Sequence, residues 1–283
     1  MNSILTEELF CEFLVRSWSK TQMHRFDVSR SRIQGNSLDE GFFEVNSLEE
    51  SFRSYTWNSA DYSANKINLE RFQVELRRSL DEGDVSKTRE LFLDIYMWGG
   101  VKWTKKGGAE NRSGAWLREC FENETLVAKI QISVQHLVSG QNLTRFNGQD
   151  LIMNSGFTKV ASLASSSSHP LIIFDGRVGA ALGHLVSLAM DEGNYSDLAA
   201  SLLFPWGGAR TKSVFRNPSN KKIKFPSLFA GKHKHKHYNH AKAVHNSSRI
   251  VNHAAKKLLI SPRQIEAALF MWGYDVSDAP CGE

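Results

Sequence analysis

Cysteine is scarce in this chain. Cys11, Cys120 and Cys281 are spread over 283 positions, an odd and widely separated set that argues against a disulfide framework and for a reducing, cytoplasmic compartment. Three thiols also exclude a four-thiolate iron–sulfur cluster. No run of eighteen apolar residues occurs, so no membrane-spanning helix is expected. The opening MNSILTEELF carries acidic residues where a secretory leader needs positive charge. Convincing strand alternation is missing, as is any repeat period. The most informative absence is of carboxylates. From Leu198 to Ile265 there is no Asp or Glu, against fourteen Lys and Arg, so the rest of the chain carries 21 basic residues against 30 acidic ones. The net charge of +5 therefore conceals one cationic segment on an acidic chain, a segregation suited to a polyanion held on one face.

What remains reads as helices. Apolar residues at helical spacing predict a helix over 4–19, followed by a loop over 20–45 punctuated by Gly35, Asn36 and Gly41. Ser47 with Glu50 forms a capping-box pattern for a short helix toward Tyr55. Asn68 is expected to cap 69–80, and Asp84 or Ser86 to cap 87–98, which Gly99 and Gly100 stop. Ser113 opens a further helix, and Asn123 a longer one over 124–139, ended by Gly140. Later helices are expected at about 176–190, Tyr195–Leu203 and 240–258. Ser261 and Pro262 then open the last one, which ends at Gly273. The fold class is all-α, in a chain large enough to bury a core without staples. It divides into an N-terminal helical part over 1–112, a central core over 113–204, a basic loop over 205–239 and C-terminal helices over 240–283.

The stretch 205–239 holds nine Lys or Arg, with Gly, Pro and Ser, and is too long for an ordinary connection. Its cations alternate with Phe215, Phe225, Phe229 and Tyr238, a pattern suited to phosphate contact with stacking on unpaired bases. Lys221, Lys222, Lys224, Lys232, Lys234 and Lys236 are the candidate phosphate contacts. His233, His235 and His237 would share one face of an extended segment. Lysines between them repel a dication and no carboxylate or thiolate is near, so no metal is assigned.

The chemistry-bearing stretch is Asn154–Gly183, NSGFTKVASLASSSSHPLIIFDGRVGAALG. Thr158 is a good N-cap residue, and Lys159 behind it would sit near the positive end of a helix, where the neutral amine is favoured. Asp175 follows the apolar run Leu171–Phe174 at the entry to a second helix. Thr158-Lys159-Val160-Ala161 and Phe174-Asp175-Gly176-Arg177-Val178 together resemble the core of the helix-hairpin-helix DNA glycosylase superfamily. The Asp-Gly-Arg-Val-Gly-Ala-Ala-Leu form is most similar to its prokaryotic 8-oxoguanine-glycosylase-like branch, some of whose members act against phages with modified bases. The resemblance covers about 151–190. The superfamily hairpin usually carries two glycines around an apolar residue, whereas this chain has Asn154-Ser155-Gly156-Phe157.

The resemblance implies a helix-hairpin-helix fold of two helical lobes, DNA as partner, a monomer, and no cofactor. Asn154, Ser155, Gly156, Thr158 and Arg177 would join the lysines in holding DNA. A base would be flipped from the duplex and its N-glycosidic bond cleaved. Asp175 would stabilise positive charge developing on the sugar. Lys159 would either attack the anomeric carbon, permitting strand nicking, or position a water that Asp175 activates. Gln34 and Trp206 are candidates for the base pocket, and Trp98, Trp103, Trp116 and Trp272 are further stacking candidates. The expected substrate is a hypermodified phage cytosine, with 8-oxoguanine as the alternative. Two rival readings are a non-catalytic DNA-binding protein on this scaffold and a helical module whose basic loop meets an acidic protein.

Overall fold

A computed structural model describes residues 3–20, 23–27, 42–209, 214–228 and 233–277. Among them the chain is mostly helical, with ten α-helices and two short strand pairings. No helix among the described residues is long and apolar enough to cross a membrane. The chain divides into two compact units. One comprises Met1–Ser63, Phe174–Ala230 and Asn246–Glu283; the other comprises Ala64–Ile173 and Gly231–His245.

In the first unit, β1 (Ile4–Leu5) pairs in parallel with β4 (Asp197–Leu198). The helix expected from residue 4 therefore starts later. It is α1 (Glu7–Ser19), because the Thr6 hydroxyl caps it by accepting from Leu9 N–H. The expected loop over 20–45 includes an antiparallel pair, β2 (His24–Asp27) and β3 (Phe42–Val45). Residues this short cannot show a legible two-residue period, which is why neither pairing was expected. Helix α2 (Leu48–Arg53) has the Ser47 cap that the sequence called for. The helix expected at Tyr195–Leu203 is instead β4 followed by a single 3-10 turn over Ala200–Leu202.

Helix α8 (Gly176–Glu192) is the buried axis of this unit, packed by α1 and by α10 (Pro262–Trp272). Ser261 and Gln264 form a full capping box at the head of α10. A Cβ at Gly179 would lie 2.0 Å from the Pro205 carbonyl oxygen, one at Gly176 2.7 Å from Gly207 Cα, and one at Gly183 2.6 Å from Pro218 Cγ. These three glycines lie three to four residues apart, so they share a side-chain-free face of α8. The start of the basic segment lies directly on that face.

The second unit holds α4 (Val85–Trp98), α5 (Arg112–Glu122), α6 (Leu126–Ser139) and α7 (Phe157–Ala164) around a cluster of Phe92, Tyr96, Trp116 and Phe157. Asp84 caps α4, and Gly140, at φ +71°, ends α6. Asn111, not Ser113, caps α5, because its carboxamide reaches both Ser113 N–H and Gly114 N–H. Helix α6 begins at Leu126, after Thr125 rather than Asn123. Helix α3 (Tyr62–Asp81) absorbs the expected 69–80 helix, so Asn68 lies within it instead of capping it. Helix α9 (His233–Leu258) begins seven residues before the helix expected at 240, and residues 233–245 of it belong to this unit.

A buried aromatic–histidine stack ties three elements of the first unit together. The His24 ring lies 4.3 Å from Trp272, and Trp272 Nε1–H donates to His184 Nδ1 at 3.2 Å. Burial, and then the nearby His24, push the His184 pKa down from 6.5 to about 3. As pH falls below 6.5 the unfolded chain takes up a proton here, while the folded chain resists until about 3. Stability therefore falls with pH across that window, by up to roughly 5 kcal/mol. His184→Gln keeps an acceptor for the indole and removes the titration. Chemical unfolding between pH 7 and pH 4 is expected to show a distinctly flatter loss of stability for the variant than for the parent.

Candidate functional site

Asp175 stands where the sequence placed it, as the N-cap of α8. Its Oδ1 accepts from Arg177 N–H at 2.8 Å and from Val178 N–H at 3.1 Å. Two backbone donors and the positive end of a seventeen-residue helix favour the carboxylate form and fix its plane. The run Leu171–Phe174 that delivers it is buried, which anchors the carboxylate at the rim of an apolar core.

Arg177, in the same first turn, is half-buried among aromatic rings. Its guanidinium lies 4.4 Å from the centre of Phe270, 5.3 Å from Tyr274 and 5.6 Å from Trp57. Arg216, from the basic segment, lies 5.4 Å from the same Tyr274 ring and donates from Nε to the Tyr274 carbonyl at 3.0 Å. Burial pushes Arg177 down from its ordinary value, while Asp175 acts the other way. Burial, and then the neighbouring Arg177, push Arg216 down to about 10, with Asp175 again opposing. Asp175, Arg177 and Arg216 thus form one electrostatic group within the first unit. Arg216, Trp57, Phe270 and Tyr274 were absent from the sequence-based site. Arg216 was hidden among the other cations of its segment, and nothing in the local pattern joins Trp57 to Phe270.

Lys159 belongs to the second unit. It is 7% exposed, and its Nζ donates to the Ser155 carbonyl at 2.7 Å. Its stem passes over Gly99, where a Cβ would lie 2.4 Å from Lys159 Cδ and 2.5 Å from Cε. The glycine that ends α4 therefore also makes room for the lysine. Thr158 does not cap α7. It is fully buried inside the first turn, and the cap position is Gly156. The capping oxygen comes from Asn154, whose Oδ1 accepts from Gly156 N–H at 2.8 Å and Phe157 N–H at 3.0 Å. Thr158 N–H goes to the Asn154 carbonyl and Lys159 N–H to that of Gly156. The Asn carboxamide oxygen reaches backbone amides two and three residues on, which closes this turn. A threonine already inside the helix has no free first-turn amide ahead of it to accept from. A phosphate reaching the Gly156 and Phe157 amides would have to displace Asn154 first, and Ser155 offers Lys159 its carbonyl.

Residues 214–228 of the basic segment are folded into the first unit. Asn220 Oδ1 accepts from Lys222 N–H and Ile223 N–H, and Ser219 Oγ accepts from Phe225 N–H. Ile223 and Phe225 are buried while Lys221, Lys222 and Lys224 are exposed. Phe225 is thus a core residue, not a stacking platform. Lys222 pairs with Asp191 at 2.7 Å. Trp206 is half-buried and staples this segment. Its Nε1–H donates to the Phe225 carbonyl at 3.3 Å, and its backbone bonds to Pro226 and Leu228. Trp116 and Trp272 are core residues, and Trp98 donates to Asn65 Oδ1. Lys236 is half-buried on α9, where helical geometry turns alternate histidines onto different faces instead of one. His237 accepts from Met153 N–H. Gln34, Phe229 and Lys232 lie outside the described residues, as does the side chain of Lys234.

No family model, curated protein or solved structure matches this chain.

The fit between Gly99 and Lys159 is open to measurement. Gly99→Ala is expected to cost about 1–3 kcal/mol by overpacking against the lysine stem. In a Lys159→Ala background most of that cost should vanish, giving a coupling above about 1 kcal/mol in a double-mutant cycle. Simple additivity would mean that Gly99 serves α4 alone.

Proposed function

We propose that this protein is a DNA glycosylase that flips a modified base out of the duplex and cleaves its N-glycosidic bond. The observation that carries the reading is the group at the head of α8. There a carboxylate is held by two backbone amides, with Arg177 and Arg216 in electrostatic range and Trp57, Phe270 and Tyr274 around the guanidiniums. Cleavage of a glycosidic bond develops positive charge on the sugar, and a preorganised anion stabilises that charge without reorganising during the reaction. Asp175 is that anion. Aromatic faces accept an unstacked base, and cations beside them meet the strand phosphates. The exposed Lys221, Lys222 and Lys224 extend the cationic surface of the same unit.

The base is a modified one, with glucosylated hydroxymethylcytosine of phage DNA first and 8-oxoguanine second. Duplexes carrying each, beside an unmodified one, should yield abasic sites only where the modification is present. Lys159 serves either as the nucleophile that forms a Schiff base with the sugar or as a cation that helps to place water. Borohydride reduction during turnover covalently traps protein on DNA only along the first route.

Asp175→Asn isolates the charge. Asparagine caps a helix about as well as aspartate, so the fold is retained. Base release should fall by at least a hundredfold while DNA binding is kept or strengthened. Undiminished release by the folded variant would remove Asp175 from the chemistry. Replacing Lys221, Lys222 and Lys224 together by Gln is expected to weaken binding to all sequences alike and to lower the salt slope by about two to three. An unchanged slope would place this surface off the DNA path.

A further inference from the structure

The first unit gathers two guanidinium groups that form no ion pair with a carboxylate among the described residues, although the charge of Asp175 acts on both. Neither Arg177 nor Arg216 makes an ion pair among the described residues, although both flank the Tyr274 ring. Among the described residues, Arg177 Nη1 is sealed from solvent and has no hydrogen-bond acceptor. Of the nearby acids, Asp175 spends Oδ1 on the first turn of α8, and Asp275 accepts from Ser277 N–H. Two like charges held near one another at a half-buried site repel each other, and an orphaned donor there destabilises the fold. An oxyanion such as a phosphate would relieve both penalties, since the guanidinium fork matches the spacing of two of its oxygens and their charge.

The geometry points to an oxyanion subsite formed by Arg177 and Arg216 beside Asp175, taking a phosphodiester of the DNA strand. This rests on the glycosylase reading for the identity of the strand, but the chemistry it requires is that of a phosphate alone. The aromatic rings of Trp57, Phe270 and Tyr274 surround the Arg177 guanidinium, so little side-chain entropy would be lost when phosphate arrives. The subsite would pin the phosphate close to the sugar on which Asp175 acts. It is distinct from the exposed lysines, whose contacts are non-specific. The stretch that carries Arg216 is tied to the residues after α10, whose Tyr274 ring both arginines contact: Val276 N–H donates to the Phe215 carbonyl at 2.7 Å, next to the Arg216 bond to Tyr274.

The test uses the full chain and short duplex DNA, with affinity measured across a salt series. Arg177→Met and Arg216→Gln are each expected to weaken binding about tenfold and to lower the salt slope by about one. Arg177→Lys should keep the slope and still lose affinity, because it retains the charge without the fork. If circular dichroism shows that Arg177→Met does not fold, Arg216→Gln carries the test. Unchanged slopes in folded variants would overturn the subsite as a contact to the DNA strand. Inorganic phosphate and a deoxynucleoside monophosphate are offered separately. If these raise the melting temperature of the parent but not of Arg216→Gln, while the DNA slopes stay unchanged, the site takes free phosphate and the strand assignment falls. Base release is scored independently on the modified-base duplexes. Absent release with lowered slopes would sink the glycosylase reading and leave the subsite standing; full release with unchanged slopes would sink the subsite alone.

Discussion

The arrangement of the first unit depends on how closely the backbone of 205–207 approaches the first turns of α8. The Pro205 carbonyl and Gly207 occupy space that any side chain at Gly179 or Gly176 would fill. That approach lays the start of the basic segment along a buried helix. Trp206, with its bonds to Phe225, Pro226 and Leu228, then holds the later part of the segment in place. Arg216 comes to lie beside Arg177 as a result, and a cation that reads as one of many in the sequence becomes part of a defined pair. Gly273 extends the same constraint, because a Cβ there would fall 1.9 Å from the Arg177 carbonyl.

Electrostatics in this group run against the usual economy of folded proteins. Guanidiniums set among aromatic rings ordinarily meet a carboxylate. Here the nearest acid, Asp175, is committed at Oδ1 to the helix terminus. The cations are held by ring faces and one carbonyl. Half-buried cations with no ion pair among the described residues are the basis of the oxyanion subsite proposed above. In the second unit Lys159 has a comparable character, being a buried amine with a carbonyl acceptor from the turn before its own helix.

Several local features could be read directly from the chain. Asp175 as a cap, Ser261-Pro262, Ser47, Asp84 and Gly140 all act through hydrogen bonds or dihedral preferences spanning four residues or fewer. A nearest-neighbour pattern contains that information. The mostly helical class was legible for the same reason, since long amphipathic periods outweigh a few short strands. The start of α7 was not, because Thr158 and Asn154 both suit a cap and only the course of the chain decides which reaches the amides. The histidines of 233–237 were misjudged as extended because lysine and histidine alternation has no apolar period to reveal a helix.

By itself the sequence determined where charge is concentrated, which residues could begin and end helices, and that Asp175 would stand exposed to backbone donors at one of those starts. Each of these follows from composition or from short-range geometry. Tertiary structure alone decided that Phe225 is core and that Trp206 is a staple. It also decided that Gly99 makes room for Lys159, and that Arg177 and Arg216 meet over Tyr274. Those are contacts between residues tens of positions apart, and they depend on which faces of which helices pack. A side chain carries no mark of its distant partner until burial has selected one.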